Sequence, residues 1–419
     1  MPPDPYTPFL LDVTRLVSRV GRGAFTGIDR VEATYLDALI DRNEGRMFAL
    51  ARIGGTYALL DRSAMQALRA RLSGDAEWGP ADWIARLHLR QPPARRRAHS
   101  DLRRLAGARR ARAGGLAVLL RRELPAGTRY LNVGHTNLSE EVMAAVRGVR
   151  GARIQVLVHD TIPLDYPEYT RTGIPEQFAA RLRIVGRYAD RVVYNSQVTR
   201  SCAEAHFTRW GRVPPGVVAH LGVTPAAPDP AALAEVWPPG LGRDRSYFVI
   251  LGTIEPRKNH ALLLDIWERF AAEQEAQQIP ALCIVGARGW RNEALFARLD
   301  ASPLTDRHLF ELGPIGDGAV GALLKDARAL LFPSHTEGFG LPAAEAAALG
   351  VPVLCNDLPV MHEILGDYAV YAGVTDSYLW AQKILALTRV DAGAAGWGGP
   401  PFRSPQWESH FQSVLTDGC

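Results

Sequence analysis

The sequence predicts an α/β protein of two doubly wound domains, and three observations carry that prediction. Short β-branched or aliphatic runs alternate with longer helical patterns through most of the chain. Val213 to Asp244 holds seven prolines and four glycines, a composition that breaks helices and marks a linker between two such series. The 419 residues suffice for two or three domains at roughly 150 residues each. With 47% hydrophobic and 22% charged residues, the composition is that of a folded globular protein and excludes a disordered chain or a coiled-coil rod.

In chain order, the first series has strands at Phe9–Val13, Met47–Arg52, Tyr130–Val133, Ile154–His159 and Arg191–Tyr194. Each but the second is followed by a turn or polar loop and then a helical pattern. The second series has strands at Tyr247–Leu251, Ala281–Val285, His308–Leu312, Ala329–Phe332 and Val351–Leu354. These place a first domain at 1–220, a second at 221–395 and a final segment at 396–419. The final stretch is Gly/Pro-rich from Gly393, then amphipathic through Trp407, Phe411, Val414 and Leu415, and is expected to return to the first domain. Trp210, Trp237, Trp267 and Trp290 show no stacked spacing and read as core or helix anchors. Cys202, Cys283, Cys355 and Cys419 form no C-x-x-C, so buried free thiols are expected rather than zinc or disulfides. No run approaches the ~18 apolar residues of a spanning helix, and Met1-Pro-Pro-Asp-Pro lacks a signal-peptide layout. A cytoplasmic protein is the expectation.

Charge divides the chain. Residues 1–220 hold 34 Arg and 21 Asp+Glu; residues 221–419 hold 14 Lys+Arg and 23 Asp+Glu. The excess concentrates in Arg86–Arg122, with twelve Arg and one acid, Asp101. Apolar residues are interleaved there (Leu87, Leu89, Leu102, Leu105, Leu116, Val118, Leu119, Leu120). The stretch therefore reads either as a solvated helical insertion or as a basic amphipathic face for anionic lipid at the membrane's inner surface. Nucleic acid is not expected, since the run lacks aromatic stacking residues.

The chemistry concentrates in Ser334–Val353, directly after a buried-strand pattern. A glycine-rich turn, Glu337-Gly338-Phe339-Gly340-Leu341, permits close backbone approach, and Pro342 suits the first turn of a helix. The amides at that helix start make an anion site fit for a sugar-nucleotide diphosphate. Glu337 before the helix and Glu345 within its first turns, eight positions apart, can accept hydrogen bonds from paired sugar hydroxyls. In Leu251–His260, Asn259 is placed to cap a helix, with Arg257 and Lys258 beside it to neutralise a pyrophosphate.

E-G-F-G-L-P-x-x-E-A-x-A-x-G-x-P-V resembles the E-x7-E signature of retaining GT-B glycosyltransferases, specifically glycosyltransferase family 4. The resemblance implies two Rossmann-like domains facing across a cleft. It implies that Glu337 contacts the transferred sugar and Glu345 the nucleotide ribose. E-P-R-K-N resembles the family's diphosphate-binding segment, which puts Arg257 and Lys258 on the leaving group, where charge develops. Thr26-Gly-Ile-Asp-Arg-Val31 resembles the opening of some members, with Gly27 in a loop approaching the diphosphate from the opposite wall. His159 matches a family histidine directed at the donor sugar, and Asp160 follows it. Asn195-Ser196 resembles a turn near the cleft, for which a helix N-cap at Ser196 accounts equally well, and His220 opens the connection and is expected to face the acceptor. The implied reaction is hexosyl transfer with retention, through front-face substitution without a protein nucleophile, to a hydroxyl of a glycan or lipid-linked glycan in surface polysaccharide synthesis. Mannose from GDP-mannose is the first expectation and a UDP-sugar the second. No metal or resident cofactor is expected. A non-catalytic GT-B-like subunit that holds a sugar nucleotide remains the alternative. A dinucleotide-dependent oxidoreductase does not fit, because no G-x-G-x-x-G follows the first strand.

Overall fold

The computed structural model describes residues 7–23, 25–42, 46–87, 91–389 and 399–416. Met1–Pro5, Leu89, Arg90, Gly393 and Cys419, all used in the sequence reading, lie outside the described residues.

The first sheet contains β1 (Phe9–Asp12), β2 (Met47–Ile53), β3 (Thr56–Asp61), β4 (Arg110–Arg112), β5 (Arg129–Asn132), β6 (Arg153–Val158), β7 (Arg191–Tyr194) and β8 (Gly216–Val218). Their spatial order is β4-β3-β2-β1-β5-β6-β7-β8. The second contains β9 (Tyr247–Leu251), β10 (Ala281–Val285), β11 (Leu309–Gly313), β12 (Leu330–Phe332), β13 (Val353–Cys355) and β14 (Val370–Tyr371), in the order β11-β10-β9-β12-β13-β14. Helices cover both faces, so central strands are buried throughout; Ala-Leu-Cys-Ile-Val in β10 is wholly enclosed. Cys283 and Cys355 are buried free thiols in this core, and Cys202 is a half-buried one.

Three expectations are corrected. The first sheet is not wholly parallel: β2, β3 and β4 form an antiparallel meander, turning at Gly54-Gly55 between the paired Ile53 and Thr56. The Arg86–Arg122 stretch is no solvated insertion. It supplies β4 and the helices Pro93–Ala106 and Leu116–Glu123, and buries Leu102, Leu116, Leu119 and Leu120 in the domain core. Its arginines reach acids of neighbouring segments, Arg103 to Asp82 at 2.6 Å and Arg109 to Asp61 at 2.5 Å, while Arg104 pairs with the stretch's own Asp101, which also takes Arg71 from outside it at 2.9 Å. The Pro/Gly-rich connection holds β8 at the sheet edge and a helix, Pro230–Val236. Proline is compatible with both, at a sheet edge and at a helix's first position, where the Asp229 carboxylate accepts the amides of Ala231 and Ala232.

The helix Trp407–Leu415 lies against the first domain. His410 pairs with the Tyr35 hydroxyl at 2.7 Å, and the carbonyls of Val414 and Leu415 accept from Gln155 and Arg129. No helix among the described residues is long and apolar enough to cross a membrane.

Candidate functional site

The loops leaving the carboxyl ends of β1, β6, β7, β9, β10, β11 and β12 border one cleft of about 650 Å³ between the two sheets. This is where open parallel sheets place ligands.

On the second-domain wall, β12 ends at Phe332 and the chain turns through Ser334–Gly340 into the helix Leu341–Ala348. Gly340 sits at φ +85°, a left-handed conformation that admits the turn, and Pro342 falls in the helix's first turn. A β-carbon at Gly338 would stand 2.2 Å from the His159 carbonyl oxygen, so only glycine lets this loop touch the first domain. The Gly338 carbonyl then accepts hydrogen bonds from the hydroxyls of Ser196 (2.9 Å) and Thr199 (3.2 Å). Ser196 also caps the helix Gln197–Arg209, so both readings of that residue hold at once.

Glu337 lies at the centre. Its Oε1 takes Lys258 Nζ and Arg257 Nη1, each at 2.7 Å. Burial alone raises this carboxyl, yet the two cations bring it down to about 2. Arg257 also donates to the Thr336 carbonyl and pairs with Glu255 at 2.8 Å. Burial lowers the Lys258 ammonium, with Glu337 opposing; its Nζ also stands 4.4 Å over the Phe332 ring. Pro256–Lys258 is a 3-10 turn. The expected Asn259 cap is not made: Asn259 is used for its tolerance of a left-handed backbone, φ +54°, and its side chain makes no capping bond to the helix His260–Glu273.

Glu345, in the helix Leu341–Ala348, pairs across the cleft with Arg30 of the first domain at 2.5 Å. Arg30 lies in the helix Gly27–Asp41, whose start is fixed by a Thr26–Asp29 capping box and by Arg15 on Asp29 at 2.6 Å. Gly27 borders the cleft, and a β-carbon there would lie 3.4 Å from Leu341. His159 is buried and its Nε2 faces the Val133 carbonyl at 2.7 Å. Burial, then neighbouring His135, holds the imidazole well below its ordinary range, so it is neutral with Nε2–H donated and Nδ1 an acceptor. Burial raises Asp160, and Arg257 opposes this.

The cleft thus gathers Glu337, Glu345, Arg257, Lys258, Gly338, Phe339, Gly340, Leu341, Gly27, His159 and Asp160. His220 is not on its wall; it pairs with Glu363 at 2.8 Å, which also accepts the first amides of the helix Gln197–Arg209. Trp290 is no core anchor. It borders the cleft under Arg171, 4.8 Å from its ring, while adjacent Arg291 donates to the Thr170 carbonyl. Sequence reasoning missed Arg30, Glu255 and Asp317. The first two stand inside quoted motifs; Asp317 merely opens a helix after β11.

Two α/β domains facing across a cleft are the GT-B architecture that the sequence resemblance implies. Residues 235–388 match the family model of glycosyl transferases group 1. The serotype-specific mannosyltransferase WbdA of Escherichia coli is 34% identical over 250 residues, 56% of this chain and 30% of WbdA. O-antigen chain mannosyltransferase B of E. coli is 33% identical over 148 residues, 35% of this chain and 38% of that protein. The chain therefore spans only about a third of the length of these relatives. Among solved structures, Anabaena Alr3699/HepE with UDP-glucose superposes with TM-score 0.58 at 14% identity, over 98% of this chain and 94% of that one. The lipopolysaccharide outer core galactosyltransferase WaaB gives 0.52 at 15%, over 91% and 90%. These two share the fold.

Proposed function

We propose that this protein is a retaining glycosyltransferase that moves a hexose, mannose first, from a nucleotide-diphospho-sugar to a hydroxyl of a glycan or lipid-linked glycan. The observation that carries the proposal is Glu337 held ionised by Arg257 and Lys258 on the cleft wall beside a helix start. A donor diphosphate competes for those two cations and draws on the amides of the Gly338–Leu341 turn. Glu337 is thereby released to accept from the sugar's hydroxyls. As the glycosidic bond breaks, both cations stabilise the leaving diphosphate, and its oxygen takes the acceptor's proton on the same face. Mannose is favoured because WbdA and the O-antigen chain enzyme are both mannosyltransferases by name. GDP-mannose is accordingly the first donor to try and a UDP-sugar the second. Turnover of either donor separates this reading from a binding subunit without chemistry.

In the same proposal Glu345 takes the ribose. Glu345→Ala is expected to weaken nucleotide diphosphate binding about tenfold to a hundredfold, the worth of hydrogen bonds to a charged group, measured by titration calorimetry. Turnover at saturating donor should fall far less. Burial raises the Glu345 carboxyl, with Arg30 opposing, so acidification neutralises it before an exposed glutamate. Nucleotide affinity should therefore drop as pH falls, and Glu345→Gln should flatten that dependence.

The proposed membrane contact uses a smaller surface than the whole arginine-rich stretch. Trp83 and Leu87 are each 73% exposed at i and i+4 of a short helix, with Arg86 between them. Trp83→Ser with Leu87→Ser is expected to reduce co-sedimentation with vesicles containing phosphatidylglycerol several-fold; unchanged binding removes this partner.

A further inference from the structure

We propose that Arg30 competes with the nucleotide's ribose for Glu345 and so sets how strongly the cis-diol is recognised, holding Glu345 until the diol replaces it and then passing to Asp317. The inference rests on the reading of Glu345 as the ribose ligand and extends it to the opposite domain.

Two helices meet across the cleft at successive turns. Gly27 opens one and would place a β-carbon 3.4 Å from Leu341, which opens the other; one turn on, Arg30 meets Glu345 at 2.5 Å. Both helix starts are rigidly held, one by the Thr26–Asp29 box with its arginines and the other by the Gly338 seam. The guanidinium therefore reaches Glu345 without rearrangement of the backbone. The Glu345 side chain is only 12% exposed, so two partners cannot share it freely. A ribose that hydrogen-bonds this carboxylate must displace Arg30 or accept a single remaining oxygen.

Displacement need not leave the arginine unpaired. Asp317, exposed at the first turn of the helix Asp317–Lys325, borders the same cleft and already attracts Arg30. Arg30 thus stands between two carboxylates, one buried and one exposed, and the ligand decides which it occupies. A nucleotide without the diol gains nothing by opening the pair, because it cannot use Glu345. The cost of opening the pair therefore falls on ribonucleotides alone and narrows their advantage over nucleotides without the diol.

The test is calorimetric binding at pH 8 of GDP, UDP and their 2′,3′-dideoxy analogues to the wild type, Arg30→Ala and Arg30→Lys. Loss of competition in Arg30→Ala is expected to tighten the better-bound ribonucleotide about fivefold or more and leave its dideoxy analogue within twofold. Arg30→Lys should restore most of the wild-type behaviour. Equal weakening of both analogues would place Arg30 on the phosphates and overturn the proposal, as would no change in either. If the wild type binds ribo and dideoxy forms equally, the ribose reading of Glu345 fails first. If it discriminates and Arg30→Ala changes nothing, only the Arg30 proposal fails. No binding to any of the three proteins overturns both.

Discussion

Glu337→Ala is expected to lower sugar-transfer turnover by about 10²- to 10³-fold, the cost of removing one preorganised group from a reacting centre. The same change should not weaken binding of free GDP or UDP. Glu337 pairs with both Arg257 and Lys258, and its removal leaves both cations to the diphosphate. The carboxyl is held down to about 2 against the effect of burial, so it is ionised across any assay range and the loss does not depend on pH. Glu337→Gln, which keeps the volume, should show nearly the same turnover defect. Steady-state kinetics beside calorimetry decides the point; a nucleotide-affinity loss as large as the turnover loss would assign Glu337 to binding.

Gly338→Ala is expected to damage donor binding and turnover together. Its β-carbon would lie 2.2 Å from the His159 carbonyl oxygen and 2.8 Å from the Asp160 β-carbon, so the loop must move. Movement breaks the two hydroxyl bonds to the Gly338 carbonyl and shifts Glu337, one residue away. Overpacking of this kind costs about 1–3 kcal/mol or more. Displacement of catalytic groups by an ångström adds up to a further hundredfold in rate. The expected result is a lowered melting temperature, a raised donor KM and a kcat reduced more than tenfold. Wild-type kinetics in this variant would show that the domain seam does not position the site.

The sequence made the central strands legible because each is an aliphatic run bounded by turns, as in β1, β9 and β10. Three of the four edge strands were not: β4 is Arg-Ala-Arg, β8 is three residues long after a Pro-Pro, and β14 is two residues, each paired on one side only and under little demand for apolar side chains; β11, the fourth edge, was read at His308–Leu312, whereas β3, inside the sheet, was missed. The arginine-rich stretch misled because its apolar residues were read as facing outward. Leu102, Leu116 and Leu120 instead pack inward, and the acids that balance the arginines, Asp61 and Asp82, lie earlier in the chain. Motif spacing found the residues of the cleft but not their pairing. That Arg30 meets Glu345, 315 positions later, depends on how two domains face each other, which no local pattern records. Asn259 shows the opposite failure, where a good capping residue served a backbone need instead.

The central claim is that the cleft cleaves and transfers from a nucleotide-diphospho-sugar, and the most direct measurement is release of nucleotide diphosphate. Wild type and Glu337→Ala are incubated with GDP-mannose and, separately, with UDP-glucose, with and without a mannose-terminated acceptor, and free GDP or UDP is quantified by chromatography. The account predicts release by the wild type from one donor, stimulated by acceptor and reduced at least a hundredfold in Glu337→Ala. No release from either donor, or equal release by both proteins, would contradict it.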